Sequence, residues 1–214
     1  MHIAIDARLI LPHMTGIGRY LTGLLAGLCE TCQADSLQVW VQSQLPDDHA
    51  VWSLDGSQMR ISRVPLRHMD WRAQWVLPSL LRQNSPDLLH YPHFDLPWFT
   101  PGKVVLTIHD LKYISQPGYF LGAARLKQLA MRTMLLHAAR RAKSIIVDSQ
   151  YTAQDLSRRL KIEKEKIHAI PLGVETRFYQ RCSPHELDQV RKQYRLPEQY
   201  LLTEIGRASC RERV

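Results

Sequence analysis

Apolar residues recur along the chain in short, mostly β-branched runs: "HIAIDA" (2–7), "LQVWVQ" (37–42), "MRISRV" (59–64), "DLLHYP" (87–92), "KVVLTIHD" (103–110), "SIIVDS" (144–149) and "IHAIPLG" (167–173). Each has the length and the bounding turn residues of a strand. Between several of them the apolar spacing turns helical. In "IGRYLTGLLAGLCETC" Tyr20, Leu21, Leu24, Leu25 and Leu28 share one stripe, and in "WRAQWVLPSLLRQN" Trp71, Trp75 and Leu80 do so, with Pro78 expected to bend or interrupt the helix. A third segment, "AARLKQLAMRTMLLHAARRAK", places Ala124, Met131, Met134, Leu135 and Ala138 on a core stripe. Strands alternating with helices, and strands apolar almost throughout, predict an α/β fold in which a Rossmann-like parallel sheet is covered by helices on both faces.

Local signals mark the later boundaries. Ser149 stands where a helix N-cap is expected, and "SPHELDQVRKQY" starts with Ser183 as cap, Pro184 at the first helical position and Glu186 closing a capping box. After "RLPEQ", Leu201 and Leu202 read as the opening of another buried strand, the start of a next unit.

At 214 residues, 45% apolar and 22% charged, the chain can bury a substantial core. No basic leader and apolar stretch open it, and no apolar run approaches the ~20 residues needed to span a bilayer, so it reads as cytoplasmic. The four cysteines include one C-x-x-C, Cys29 and Cys32 in "LCETC", but the pair falls inside an amphipathic helix and reads as two small hydrophobes. The formal charge of +8 implies attraction to an anionic partner without identifying it.

Three clusters carry candidate chemistry. In "HMTGIGRY", Gly16, Ile17 and Gly18 lie between the first strand and the first helix, where backbone amides approach phosphates closely. As a dinucleotide fingerprint the stretch fails: Leu21 holds the third glycine position, and the second strand ends in "VQSQ" without an acidic residue for a ribose. The turn is then either structural or an anion site.

In "LTIHDL", His109 and Asp110 end a strand at the edge where parallel sheets bind ligands, and Asp110 is a candidate to orient His109 or to bind a hydroxyl. His90 and His93 end the preceding strand and are expected beside His109. Three histidines on different strands without ligand spacing argue against a metal.

The third cluster is electrostatic: residues 111–147 hold seven basic side chains and no acidic one. Arg125, Arg132 and Arg140 fall beside Leu129 and Leu136, opposite the core stripe, as either a solvated face or a surface for an anionic membrane. Nucleic acid is disfavoured, because no aromatic platform accompanies the charge.

Taken in order, "IAIDARLI", "TGIGRYLTGLL", "DLLHYPHFDLP", "VVLTIHDL", "SIIVDSQYTAQDL" and "IHAIPLGVE" resemble the N-terminal half of a family 4 glycosyltransferase, over His2 to about Leu202. The resemblance implies one half of the two-domain GT-B architecture. It also implies transfer of a hexose from a nucleotide sugar, GDP- or UDP-linked, to a glycan or lipid-linked acceptor, with retention and with no required metal or other cofactor. It carries His109 to the transferred sugar with Asp110 beside it, the Gly16–Gly18 backbone to the donor diphosphate, and Arg19, Tyr20, His93 and Ser149 to the cleft or acceptor. Leu172 in "PLGVE" replaces the family's asparagine. The rival readings are a non-catalytic module binding a phosphate ligand or a membrane surface, peripheral at the inner face of the plasma membrane, and an enzyme of another doubly wound family.

The last residues, "IGRASCRERV", resemble the translation of a common sequencing adapter. The expected organisation is therefore an acceptor-side domain over 1–203, a non-native tail over 204–214, and a donor-binding domain missing from the chain, which would leave it inactive alone.

Overall fold

The strands β1 (His2–Asp6), β2 (Ser36–Gln42), β3 (Met59–Val64), β4 (Leu88–Tyr91), β5 (Val104–Ile108), β6 (Ser144–Val147) and β7 (Ile167–Ala169) form one sheet in the order β3-β2-β1-β4-β5-β6-β7, parallel at every pairing. The structure is a computed structural model. It describes residues 1–13, 15–32, 35–111, 114 and 124–202, without the side chains at 124, 125, 127, 176 and 177. The tail over 204–214 and Lys112 of the basic region lie outside these residues. Around the sheet are α1 (Gly16–Thr31), α2 (Ala73–Asn84), α3 (Ala124–Arg141) and α4 (Gln150–Leu160). This is the Rossmann-like α/β architecture that the sequence pattern predicts.

Side chains alternate across the strands and feed two cores, one on each face. Ile3 and Ile5 of β1, with Val39 and Val41 of β2, pack on Leu21 and Leu25 of α1. Ala4, Leu89, Leu106 and Ile145 belong to the other cluster, with Leu77 of α2, Leu135 of α3 and Leu156 of α4. Between β4 and β5 the crossover is an irregular segment, which turns Phe94 and Leu96 into the second core.

Two stripes need correction. On α2 the buried residues are Ala73, Leu77, Pro78 and Leu81, whereas Trp71 and Trp75 are 72% and 64% exposed and meet each other edge to face at 5.5 Å. The two tryptophans share the four-residue spacing of the true stripe, so periodicity alone does not tell which face meets the sheet. Pro78 sits inside the helix and does not interrupt it. On α3, Met131, Leu135 and Ala138 are buried as expected, and Leu129, Arg132 and Arg140 are exposed. Leu136 is half-buried against the core rather than an exposed companion of the basic residues. The side chain of Arg125 lies outside the description.

The chain divides into two compact units, Met1–Gly173 and Val174–Val214. In the second, α5 (Pro184–Tyr194) starts with the expected capping box between Ser183 and Glu186. Leu201 and Leu202 do not open a buried strand: both are exposed and in no regular structure.

The corrected face of α2 makes a direct prediction. Leu77→Ala should cost about 2–5 kcal/mol of unfolding free energy, and Trp75→Ala should stay within about 0.5 kcal/mol of the parent, as measured by denaturant titration.

Candidate active site

The parallel sheet brings the ends of β1, β4, β5 and β6 to one edge, and the strand order reverses between β1 and β4, the position where such sheets bind ligands. His109 is the first residue past β5 and Asp148 the first past β6. Because Ile108 pairs with Val147, the next residues of the two strands sit side by side. His109 Nδ1 donates to Asp148 Oδ2 at 2.8 Å, with both side chains largely buried. That bond fixes the ring, and in the neutral form of an imidazole so held the lone pair lies on Nε2. Nε2 of His109 and Oδ1 of Asp148 are both buried and have no hydrogen-bond partner among the described residues, a condition native structures rarely leave without a reason.

Asp148, not Asp110, therefore orients His109. Consecutive residues leaving a strand point to opposite sides, which separates Asp110 from its neighbour's ring, whereas the parallel register delivers Asp148 to it. Asp110 is exposed at the rim.

The first helix closes the site from above. The Tyr20 ring meets the His109 ring edge to face at 4.8 Å, and the Tyr20 hydroxyl shares a 3.2 Å hydrogen bond with Thr107. Thr107 also bonds His90 Nε2 at 2.8 Å. Burial, with His109 adding to it, lowers the His90 pKa to about 4, so this imidazole is neutral at pH 7. Burial likewise pushes the Tyr20 phenol up. His90 is thus near His109, as expected, but His93 bonds to Asp95 instead.

The glycines of α1 divide their work. The Thr15 hydroxyl caps the helix by accepting from the Gly18 amide at 3.0 Å. A Cβ on Gly18 would stand 3.0 Å from that hydroxyl oxygen and 3.4 Å from the Leu9 carbonyl, so Gly18 lets the helix close on the preceding loop. Its amide is not open to a phosphate. Around Gly16 there is free space, and the first-turn amides of Gly16 and Ile17 have no intrahelical carbonyl to bind. Arg19 is exposed on this turn, and Ser149 caps α4 through the Thr152 amide.

Residues that the sequence reading did not single out occupy the switch point. Arg8, only 2% exposed, binds Asp6 with donor distances of 2.6 to 3.1 Å and reaches the Arg67 carbonyl and the Tyr91 hydroxyl. Burial opposes its charge, but Asp6 outweighs that and raises the Arg8 pKa further. Asp148 and Asp6 carried a usable signal, an acid at the end of an apolar strand, the same one that marked His109.

A family model described as Glycosyltransferase Family 4 matches residues 14–178. The chain belongs to that family. Among solved structures the fold of this family 4 chain is similar to Anabaena HepE in complex with UDP and glucose, with a TM-score of 0.61, 15% identity, and cover of 90% of this chain and 50% of that one. It is similar also to a glycosyltransferase from Rickettsia africae, with a TM-score of 0.56, 15% identity, and cover of 92% and 50%. For Arabidopsis thaliana UGT89C1 complexed with UDP the values are 0.52, 12%, and 92% and 55%. The family 4 chain thus spans about half the length of these solved proteins. No curated protein sequence matches it.

The buried His90 gives the domain a pH signature. The unfolded chain protonates this imidazole near 6.5, and the folded one resists until about 4. The unfolded state therefore binds more protons across that window, and stability falls as pH drops through it. His90→Asn should flatten the dependence of the denaturation midpoint between those pH values. His68 and His137, whose pKa values burial also lowers, keep part of it.

Proposed function

We propose that this chain is the acceptor-side domain of a retaining hexosyltransferase, which moves a sugar from a UDP- or GDP-sugar to a glycan or lipid-linked acceptor. A second Rossmann-like domain supplies most of the nucleotide site, in keeping with the half-length cover of the solved proteins. The UDP and glucose bound to the HepE structure support the donor class.

The observation that carries this reading is the His109–Asp148 pair, whose Nε2 has no partner among the described residues and whose imidazole meets Tyr20 of α1 edge to face. In the proposed complex a hydroxyl of the transferred sugar donates to Nε2. Asp148 holds the imidazole so that no reorientation is needed when the sugar arrives. The amides of Gly16 and Ile17 face the donor diphosphate, with Gly18 shaping the turn. Asp110, Arg19, Tyr20, His93 and Ser149 line the rim and the acceptor side. Departure of the nucleotide is stabilised from the second domain, so the isolated chain turns over negligibly.

The two-domain protein, assayed with UDP- and GDP-sugars, should transfer sugar or hydrolyse one donor. His109→Ala should keep the fold and lose about 10²-fold in turnover, and Asp148→Asn should lose less, in kcat rather than KM. A fully active His109→Ala variant would reject the role, and inertness toward every donor would reject the reaction.

The same reading places the domain in peripheral contact with an anionic membrane, through Leu129, Arg132 and Arg140 on α3 with Arg125. Among the described residues no helix is long and apolar enough to cross a membrane. Exposure of Leu129 at 60% beside exposed Arg132 and Arg140 favours this contact. Co-sedimentation with vesicles should require anionic lipid and fade with added salt. Equal binding to neutral vesicles would remove the proposal.

A further inference from the structure

Beside the switch point, side chains from two loops converge on one carboxylate. His68 follows β3, while His93 and Asp95 follow β4, and one donor atom from each lies within 4.8 Å of the other two. The imidazoles turn Nδ1 toward different oxygens of Asp95, His93 to Oδ1 at 2.8 Å and His68 to Oδ2 at 3.5 Å. Their rings meet edge to face with centroids 4.4 Å apart. None of these side chains is exposed.

We propose that His68, His93 and Asp95 bind one divalent transition metal of the zinc class, which clamps the loop after β3 to the loop after β4. Two imidazole nitrogens and one carboxylate oxygen form the donor set of open zinc sites, which take a water in the fourth position. Calcium and magnesium, which prefer all-oxygen surroundings, fit this set poorly.

Local charge agrees. Arg8 directs its hydrogen bonds to Asp6, the Arg67 carbonyl and the Tyr91 hydroxyl, so its charge acts on Asp95 from a distance while the two imidazoles meet the carboxylate directly. Together Asp6, Arg8 and Asp95 leave one net negative charge in a buried region, and a divalent cation offsets it. The Tyr91 hydroxyl donates to Asp95 Oδ1 at 3.2 Å and to the Asp95 carbonyl at 3.3 Å, the kind of outer support that holds a ligating carboxylate in place. The metal takes no part in sugar transfer, although its ligand His93 also borders the acceptor side in the function proposed above.

The test uses the tag-free chain after chelator treatment. Calorimetric titration with Zn²⁺ should give one site per chain and raise the thermal midpoint. Cobalt should give intensified d–d bands without a thiolate charge-transfer band. Cys29→Ser/Cys32→Ser should bind as the parent does. Tyr91→Phe should weaken binding about tenfold, and His68→Ala and His93→Ala should weaken it more. His93→Gln, close in size, replaces His93→Ala if circular dichroism shows that variant unfolded. Absence of binding, undiminished binding in both histidine variants, or loss of binding in the cysteine variant would each overturn the proposal.

Discussion

A guanidinium buried beneath the edge of a sheet is tolerable only when its charge and all its donors are met. At the switch point Asp6 meets the charge of Arg8, and the Arg67 carbonyl and the Tyr91 hydroxyl accept from its two terminal nitrogens. Four segments are fixed by this one side chain: the end of β1, the loop after β3, the end of β4, and, through Tyr91 to Asp95, the irregular crossover. Arg8 therefore acts as a rivet where adjacent strands send their chains in different directions. The crevice beside it keeps its shape because these partners cannot part without leaving a charge uncompensated in the interior.

The His109 dyad rests on a different constraint, the register of β5 against β6. Parallel pairing holds Ile108 opposite Val147, and the side chains of His109 and Asp148 then emerge together one residue later. Tyr20 reaches the same point from α1 only because Gly18 lets that helix approach the loop before it. Backbone pairing on one side and a missing side chain on the other thus set the geometry around one imidazole.

Strands and their parallel arrangement were readable in the sequence because burial on both faces imposes nearly unbroken apolar runs. The strand expected over 167–173 proved shorter, and of the stripe expected on α2 only Leu80 packs against the core. Trp71 and Trp75 obey helical spacing as well as Leu77 and Leu81 do, and only packing against the sheet separates them. At the site, His109, Tyr20 and the glycine turn were readable as residues of functional type at strand ends and helix starts. Asp148 carried the same mark, an acid at the end of an apolar strand, but its pairing with His109 across 39 positions of chain follows only from the strand register. His68 and Asp95 carried none: the first matters through a contact across 27 positions, to Asp95, and the second sits in a loop that looks merely polar.

The segment between β4 and β5 does two jobs at once. Phe94, Leu96 and Thr100 are buried in it at 5%, 2% and 3% exposure, while His93 and Asp95, from the same few residues, border the crevice. In most crossovers of such sheets a helix does the packing and a separate turn does the recognition. Here a substitution at the rim falls among residues interleaved with interior ones, so change at this rim is tied to thermodynamic cost.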